Sequence, residues 1–403
     1  MLTSYLVNIF RNGGNEKMDR MKKVTDELKK AGADLAVLIS PSNVTYAGDY
    51  EVPYWPAFMG DMCRGLPMAA ACIGAESGVL WNVISDFYKS RLERAGKKQV
   101  ICYPSFSHIE RHDPAQNFKK ALLDAVRRCI GTAGRITVGV EEEHCPQVVL
   151  EILREAYPDA AFVNISGSME RARYIKTPEE IALLERAARV ADAAQERLYE
   201  ISRKEGDYTE LDIWFEVQKA VSGENKSLTP FVGELVSGPR AGLSDYPLGP
   251  SDRKVERGDI AIMDISPRVE GYWADCSNAV VFWEEPDEEQ RRYFSAVKDV
   301  YDIGREAVYP GVTFREVNLK MEEAYKKNGF RMCSYQGHQI GASVNEKPRF
   351  TYHDNAVLEE NMVVCIEPQL YTGPSGKTGV RLERMLHVTK DGARELNHFR
   401  WGM

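Results

Sequence analysis

Two stretches of the chain are apolar, β-branched and aromatic on both sides of a turn containing Pro or Gly, the pattern of a β-hairpin. The first, IAIMDISPRVEGYWADCSNAVVF, runs from Ile260 to Phe282. A turn centred between Val269 and Glu270 sets Asp264 directly opposite Asp275, with Cβ atoms about 5 Å apart. In the second, MVVCIEPQLY (Met362 to Tyr371) leads through GPSGK into TGVRLERMLHV (Thr378 to Val388). A turn centred on Ser375 sets Glu367 opposite Glu383. Like charges facing each other across a ladder repel, so each pair needs a shared proton or a shared cation.

Upstream, elements of helical and extended period alternate. Met21, Val24, Leu28 and Ala31 fall at helical spacing and predict a helix over Asp19 to Ala31, ended by Gly32. Short apolar runs predict strands over Leu35–Ile39, Met68–Ile73, Gly78–Trp81, Gln99–Tyr103, Ile136–Val140 and Ala161–Ile165. Between them lie helices over Ser85–Ala95, Phe118–Cys129 and Pro146–Ala156, and a loop, SPSNVTYAGDY. The alternation reads as an α/β domain. Thr177, Pro178 and Glu180 then form an N-cap, a first-turn proline and a capping box, opening a long helix to about Arg203. This places a domain boundary near Tyr174, giving domains over residues 1–173 and 174–403. Further helices are expected over Tyr208–Val221, Asp287–Val308 and Phe314–Asn328. Helices thus precede strands twice, as in a duplicated half.

Composition narrows the class. A chain of 403 residues fits two or three domains. A hydrophobic content of 43% is ordinary for a chain with a sizeable core, and a net charge of −8 without a long basic block argues against nucleic acid as the main partner. None of the eight cysteines forms a CxxC pair, which reads as reduced, buried thiols. The first residues lack the basic region and cleavage site of a leader, and no run has membrane-span length. The expectation is a cytoplasmic protein, with either Met1 or Met18 as its start.

The chemistry lies in the hairpins and in GHQIGASVNEKP between them, where glycines on both sides of His338 let the backbone bend and bring the ring close to a ligand. One proton cannot neutralise four acids, but two divalent ions can. Four carboxylates and an imidazole make a two-metal site with ions about 3.5–4 Å apart. Oxygen-rich ligands suit manganese or iron, with cobalt or zinc as alternatives.

Asp264, Asp275, His338, Glu367 and Glu383, in this order and spacing, resemble the pita-bread metallopeptidase superfamily, in its creatinase, aminopeptidase P and prolidase branch. The resemblance covers the whole chain. It implies a creatinase-like α/β N-terminal domain followed by an α+β catalytic domain, a curved antiparallel sheet backed by helices with metals in its concave face. It implies that Asp264 holds one metal, that Asp275 and Glu383 bridge, that His338 and Glu367 complete the second, and that an activated water is the nucleophile, with Glu367 relaying its proton. It also implies two helper histidines in the peptidases. Here Asp245 and Asn345 stand at those positions, and His353 lies nearby without matching either. Losing such donors typically costs ~10²–10³ in rate.

Arg381 lies two residues before Glu383, on the same strand face, and could hold a substrate carboxylate as a bidentate fork or pair with the ligand carboxylates. Arg240 is a second candidate anion contact. The aromatic stretch Tyr50–Gly65, with Tyr54, Trp55, Phe58 and Arg64, reads either as core or as a binding loop. In creatinase-like relatives this region reaches the partner subunit's site, implying a homodimer.

Three readings stay open. The leading one is a dinuclear metal hydrolase of a small C–N-linked substrate, such as a proline-containing dipeptide. The second is a lyase acting on a small zwitterion, like the family's dimethylsulfoniopropionate lyase, with Asp245 as base or anchor. The third is a catalytically silent binding protein. Asp245 at one end of the pocket and Arg381 at the other would favour a small substrate carrying both charges.

Overall fold

The computed structural model describes residues 13–53, 65–94, 96–131, 135–243 and 248–403. The chain divides into two compact units between Arg173 and Tyr174.

In the first unit, strands β1 (Leu35–Leu38), β2 (Ala69–Gly74), β3 (Leu80–Ser85), β4 (Val100–Tyr103), β5 (Thr137–Val140) and β6 (Ala161–Asn164) form one mixed sheet in the order β4-β3-β2-β1-β5-β6. β2 runs antiparallel to both neighbours, and the other joins are parallel. The parallel β5–β6 join crosses over through the helix Gln147–Ala156, as parallel pairing requires. Phe118, Leu122 and Val126 of the helix Pro114–Ile130 pack with Val37, Val83 and Val138 into the core of this unit.

Two local readings differ from the structure here. The stretch expected as a loop contains a helix, Pro41–Gly48, with Ser40 as N-cap and Pro41 in its first turn. It is clamped from far along the chain. The buried Glu141 carboxylate accepts from Ser40 N at 3.0 Å and from Asn43 Nδ2 at 2.6 Å, partners that no local pattern reveals. The single helix expected over Ser85–Ala95 is a 3₁₀ turn, Asp86–Tyr88, followed by a short helix, Lys89–Arg94.

The second unit opens on the helix Pro178–Arg203, whose capping box is complete: Thr177 Oγ1 accepts from Glu180 N, and Glu180 Oε2 accepts from Thr177 N at 2.9 Å. Thr177→Ala is expected to cost about 1 kcal/mol, read as a drop in the urea midpoint at unchanged slope. Leu184, Ala187, Ala188, Ala191 and Leu198 bury one face of the helix. Gln195, on the same helix, donates Nε2 to the carbonyls of Met263 and Cys276, both at 3.1 Å, and so holds the first hairpin in place.

All strand pairs of this unit are antiparallel. β7 (Phe231–Ser237), β8 (Ile260–Val269), β9 (Tyr272–Trp273) and β10 (Cys276–Val281) make one sheet in which β8 is central. β11 (Gly337–Gln339), β12 (Glu346–Arg349), β13 (Val363–Ile366), β16 (Arg384–Thr389) and β17 (Gly392–Glu395) make a second, in the order β12-β11-β13-β16-β17. β14 (Gln369–Tyr371) and β15 (Gly379–Arg381) pair with each other. Each group of strands follows a pair of helices, Pro178–Arg203 with Glu210–Asn225 and Glu288–Ala307 with Phe314–Lys327. Val297, Val300, Phe314, Val317 and Met321 of the later pair share a core with Val236, Ile262, Val364 and Leu386 of the strands.

The hairpin registers decide which acids face each other. In the first hairpin the turn is Glu270–Gly271, both residues with positive φ, so Val269 pairs with Tyr272 and Asp264 with Ser277. Such a two-residue turn matches the twist of the strands. The expected Asp264–Asp275 pairing is therefore off by two residues. A two-residue slip keeps every side chain on its original face, so both acids still point the same way. In the second hairpin Ile366 pairs with Arg384 and Gln369 with Arg381, one register on both sides of a break. Glu367 and Glu383 sit opposite each other within that break.

Candidate metal centre

On β8, Ile260, Ile262, Asp264 and Ser266 share a face. The first two enter the apolar core, while Asp264 and Ser266 line a cavity of about 240 Å³. Asp275, His338, Glu367 and Arg381 line the same cavity, with Ser334, Tyr335, Asn345 and Gln369. His338 is brought in by close strand contact. A Cβ on the preceding Gly337, at φ 135°, would fall 2.0 Å from the carbonyl oxygen of Cys365, so only glycine lets β11 lie this near β13.

The structure gathers all five expected ligand residues. His338 Nε2 lies 3.6 Å from Asp275 Oδ2, 3.6 Å from Glu367 Oε1 and 4.0 Å from Glu383 Oε1. Asp264, Asp275 and Glu383 each bring an oxygen within 4.8 Å of the others, and His338, Cys365 and Glu383 do the same with their ligand atoms. Glu383 belongs to both groups.

The donor set fits divalent cations. His338 Nδ1 lies 2.8 Å from the Gln339 carbonyl, which can only accept, so Nδ1 carries the proton. Burial pushes the imidazole pKa down to about 4, so the ring is neutral. Its Nε2 lone pair then points at three carboxylates, an arrangement of acceptors alone that calls for a cation between them. Asp264 Oδ1, Glu367 Oε1 and Glu383 Oε1 are buried and have no hydrogen-bond partner among the described residues, and such groups are costly unless filled. Burial, reinforced by the neighbouring acids, pushes the Asp275 and Glu383 carboxyls well above the usual range. Burial brings Glu367 to about 7, against the pull of Arg381.

Arg381 lines the cavity as well. Its guanidinium is committed to protein groups: Nη1 lies 2.7 Å from Asp264 Oδ2 and 2.9 Å from Glu234 Oε1, and Nη2 donates to Tyr371 Oη at 2.6 Å. Of the two readings of Arg381, the ion pair with a ligand carboxylate is present. Arg240 is likewise turned inward, onto the buried Glu210 carboxylate and the Gly249 carbonyl. His353 is exposed on a turn and is absent from the cavity lining, so its neighbourhood in sequence does not carry into space. Asn345 does line the cavity. Asp245, Tyr54, Trp55 and Arg64 lie outside the described residues.

Sequence reasoning missed four residues. Glu234 is a buried carboxylate on β7, paired in register with Asp264, and its Oε2 accepts from Leu248 N at 3.0 Å. Its signal was a lone acid inside the apolar run FVGELVS. Cys365 was read only as a buried thiol, yet its partner across the ladder is His338. Arg349, also opposite His338, stands on β12, and no acid among the described residues is within ion-pair distance of it. Tyr335 precedes His338 by three residues, with no local pattern to mark it.

Comparison with known proteins gives the same class. Residues 182–390 match the model of metallopeptidase family M24, and residues 20–175 match the creatinase/prolidase N-terminal domain. An Xaa-Pro dipeptidase of Lactobacillus helveticus is 29% identical over 73% of this chain and 77% of its own length. An uncharacterised peptidase of Bacillus subtilis is 30% identical over 94% of this chain and 98% of its own. Among solved structures, an Xaa-Pro dipeptidase from Bacillus anthracis superposes with a TM-score of 0.76 at 22% identity, covering 96% of this chain and 98% of that one. The N-terminal domain of the chickpea FACT complex subunit SPT16 reaches 0.72 at 14% identity, covering 97% of each chain. The chain belongs to metallopeptidase family M24, in its creatinase/prolidase branch, and is a metal-dependent hydrolase of the peptidase class. The family uses divalent metal ions, and the described residues contain no helix long and apolar enough to cross a membrane.

Proposed function

We propose that the protein hydrolyses short dipeptides with a free C-terminal carboxylate, Xaa-Pro dipeptides first among them, and that Asp264, Asp275, His338, Glu367 and Glu383 hold two divalent ions. The observation that carries this is the convergence of these five side chains: Asp264, Asp275, His338 and Glu367 line one small cavity, Glu383 Oε1 lies 4.0 Å from His338 Nε2, and three of the five have buried oxygens without a hydrogen-bond partner among the described residues. A volume of about 240 Å³ falls below the usual range for drug-sized ligands and suits a dipeptide. The relatives described as Xaa-Pro dipeptidases support the substrate class.

Bound there, two divalent ions would supply Lewis-acid polarisation and an acidified water. The chain's own residues do the rest. Glu367 takes a proton from the attacking water and passes it to the leaving nitrogen. Arg381, itself held by Tyr371, fixes the Asp264 carboxylate. Glu234 adds a fifth acid and Arg381 offsets it, so two divalent ions would leave the cluster close to neutral. Anion recognition, assigned to Arg381 on sequence grounds, passes to Arg349. Its half-buried guanidinium is joined through Asn345 to the cavity wall and carries no ion pair among the described residues.

Protein incubated with manganese is expected to cleave Ala-Pro, and to lose at least about tenfold in kcat/KM on the C-terminally amidated dipeptide, since a charged hydrogen bond is worth about 1.5–3 kcal/mol. Cleavage of the amide as fast as the acid, or no cleavage of any dipeptide, would overturn this reading.

A further inference from the structure

The Asn345 side chain has two chemically different ends, and each has a partner. Arg349 Nε donates to Asn345 Oδ1 at 2.7 Å, and Asn345 Nδ2 donates to the phenolic oxygen of Tyr335 at 3.0 Å. The assignment is forced by chemistry. A guanidinium only donates, so it must face the amide oxygen, and the amide nitrogen is left facing the phenol. The Tyr335 oxygen is therefore the acceptor in that contact, and its own proton points elsewhere.

The hydroxyl that carries this proton belongs to a residue of the reaction site. Tyr335 and Asn345 both line the cavity that holds Asp264, Asp275, His338 and Glu367. The Tyr335 ring centroid lies 6.3 Å from that of His338, and the phenol donates a hydrogen bond to the Glu367 carboxylate, which fixes the donor side of Tyr335 in the cavity. Arg349, Asn345 and Tyr335 thus form a one-way chain of donors, starting at a cation that never gives up its proton and ending in the cavity. A donor fixed in direction before the reaction costs no reorganisation when charge develops on an acceptor, which is what makes such groups effective.

We propose that Tyr335 is a catalytic hydrogen-bond donor to the carbonyl oxygen of the scissile amide, with Asn345 and Arg349 as the residues that position it. The proposal rests on the dipeptidase reading above. The phenol keeps its proton throughout; on substrate binding its hydrogen bond passes from Glu367 to the carbonyl oxygen, and it shortens as that oxygen gains charge during attack by water. Asn345 does not touch the substrate oxygen; it acts through Tyr335.

The test uses manganese-loaded wild type, Tyr335→Phe, Asn345→Leu and the double variant on Ala-Pro, with metal content measured on each. Tyr335→Phe is expected to lower kcat by ~10²–10³-fold, with KM and metal content close to wild type. Asn345→Leu should lower kcat by about 5–10-fold, the worth of one orienting hydrogen bond. Added to Tyr335→Phe, the Asn345 substitution should have no further effect on kcat, since there is no proton left to orient. A merely structural role for Tyr335 would give additive losses instead. A wild-type kcat in Tyr335→Phe, or additive losses, overturns the proposal while leaving the dipeptidase reading intact. A wild-type protein that cleaves no dipeptide removes that reading and the proposal with it.

Discussion

Glu383→Gln is expected to lower dipeptide hydrolysis by about three powers of ten and to remove at least one metal ion per chain. Glu383 is the side chain common to both ligand clusters, with Oε1 lacking a hydrogen-bond partner among the described residues and Oε2 accepting from Ser277 Oγ at 3.0 Å. Glutamine keeps the shape and loses the charge, and metal assistance is worth several kcal/mol of transition-state stabilisation. Stability gives a second, independent readout. Glu383 is buried beside Asp275, Glu367 and Asp264, all of which disfavour its charge. The metal-free variant should therefore unfold at or above the temperature of metal-free wild type. Added manganese should stabilise wild type and do much less for the variant. Full activity in Glu383→Gln, or an unchanged response to manganese, would exclude Glu383 from the centre.

Arg381→Met has the next largest effect, on stability. The arginine is buried between Asp264 and Glu234 and bonded to Tyr371. Removing one partner of a buried ion pair strands the other charge, at a cost of about 3–5 kcal/mol. Two acids share this cation, so the upper end of the range is expected. Urea unfolding of the metal-free protein measures it. Unchanged stability with a raised KM alone would return Arg381 to the substrate.

Much of the site was legible because its ligands lie on strands with strong local signals. The glycine-bearing turn after Tyr371 gives the register that sets Glu367 against Glu383, and ladders on both sides of the pair keep it. The first hairpin was misjudged by two residues. Glu270 with positive φ was not anticipated as part of a tight turn, but strand parity protected the conclusion about faces. The alternation of strands and helices in the first unit was also readable, as was the capping box at Thr177. What stayed hidden depends on contacts between residues far apart in the chain. The clamp of Glu141 on Ser40 and Asn43 turns an apparent loop into a helix. The acids paired with Arg381 lie on β7 and β8, more than a hundred residues upstream. Arg349 and Tyr335 gain their meaning only through Asn345, whose side chain joins them.

The most direct measurement is the metal content of the chain. Protein freed of metal by chelator, incubated with excess manganese and desalted, is to be assayed for bound metal by elemental analysis, beside an Asp264→Asn, Glu383→Gln double variant. Two divalent ions per wild-type chain and none in the double variant is the expected result. A wild-type chain that stays metal-free with manganese, iron, cobalt and zinc in turn, or a double variant that still binds two, would contradict a metal centre at these residues.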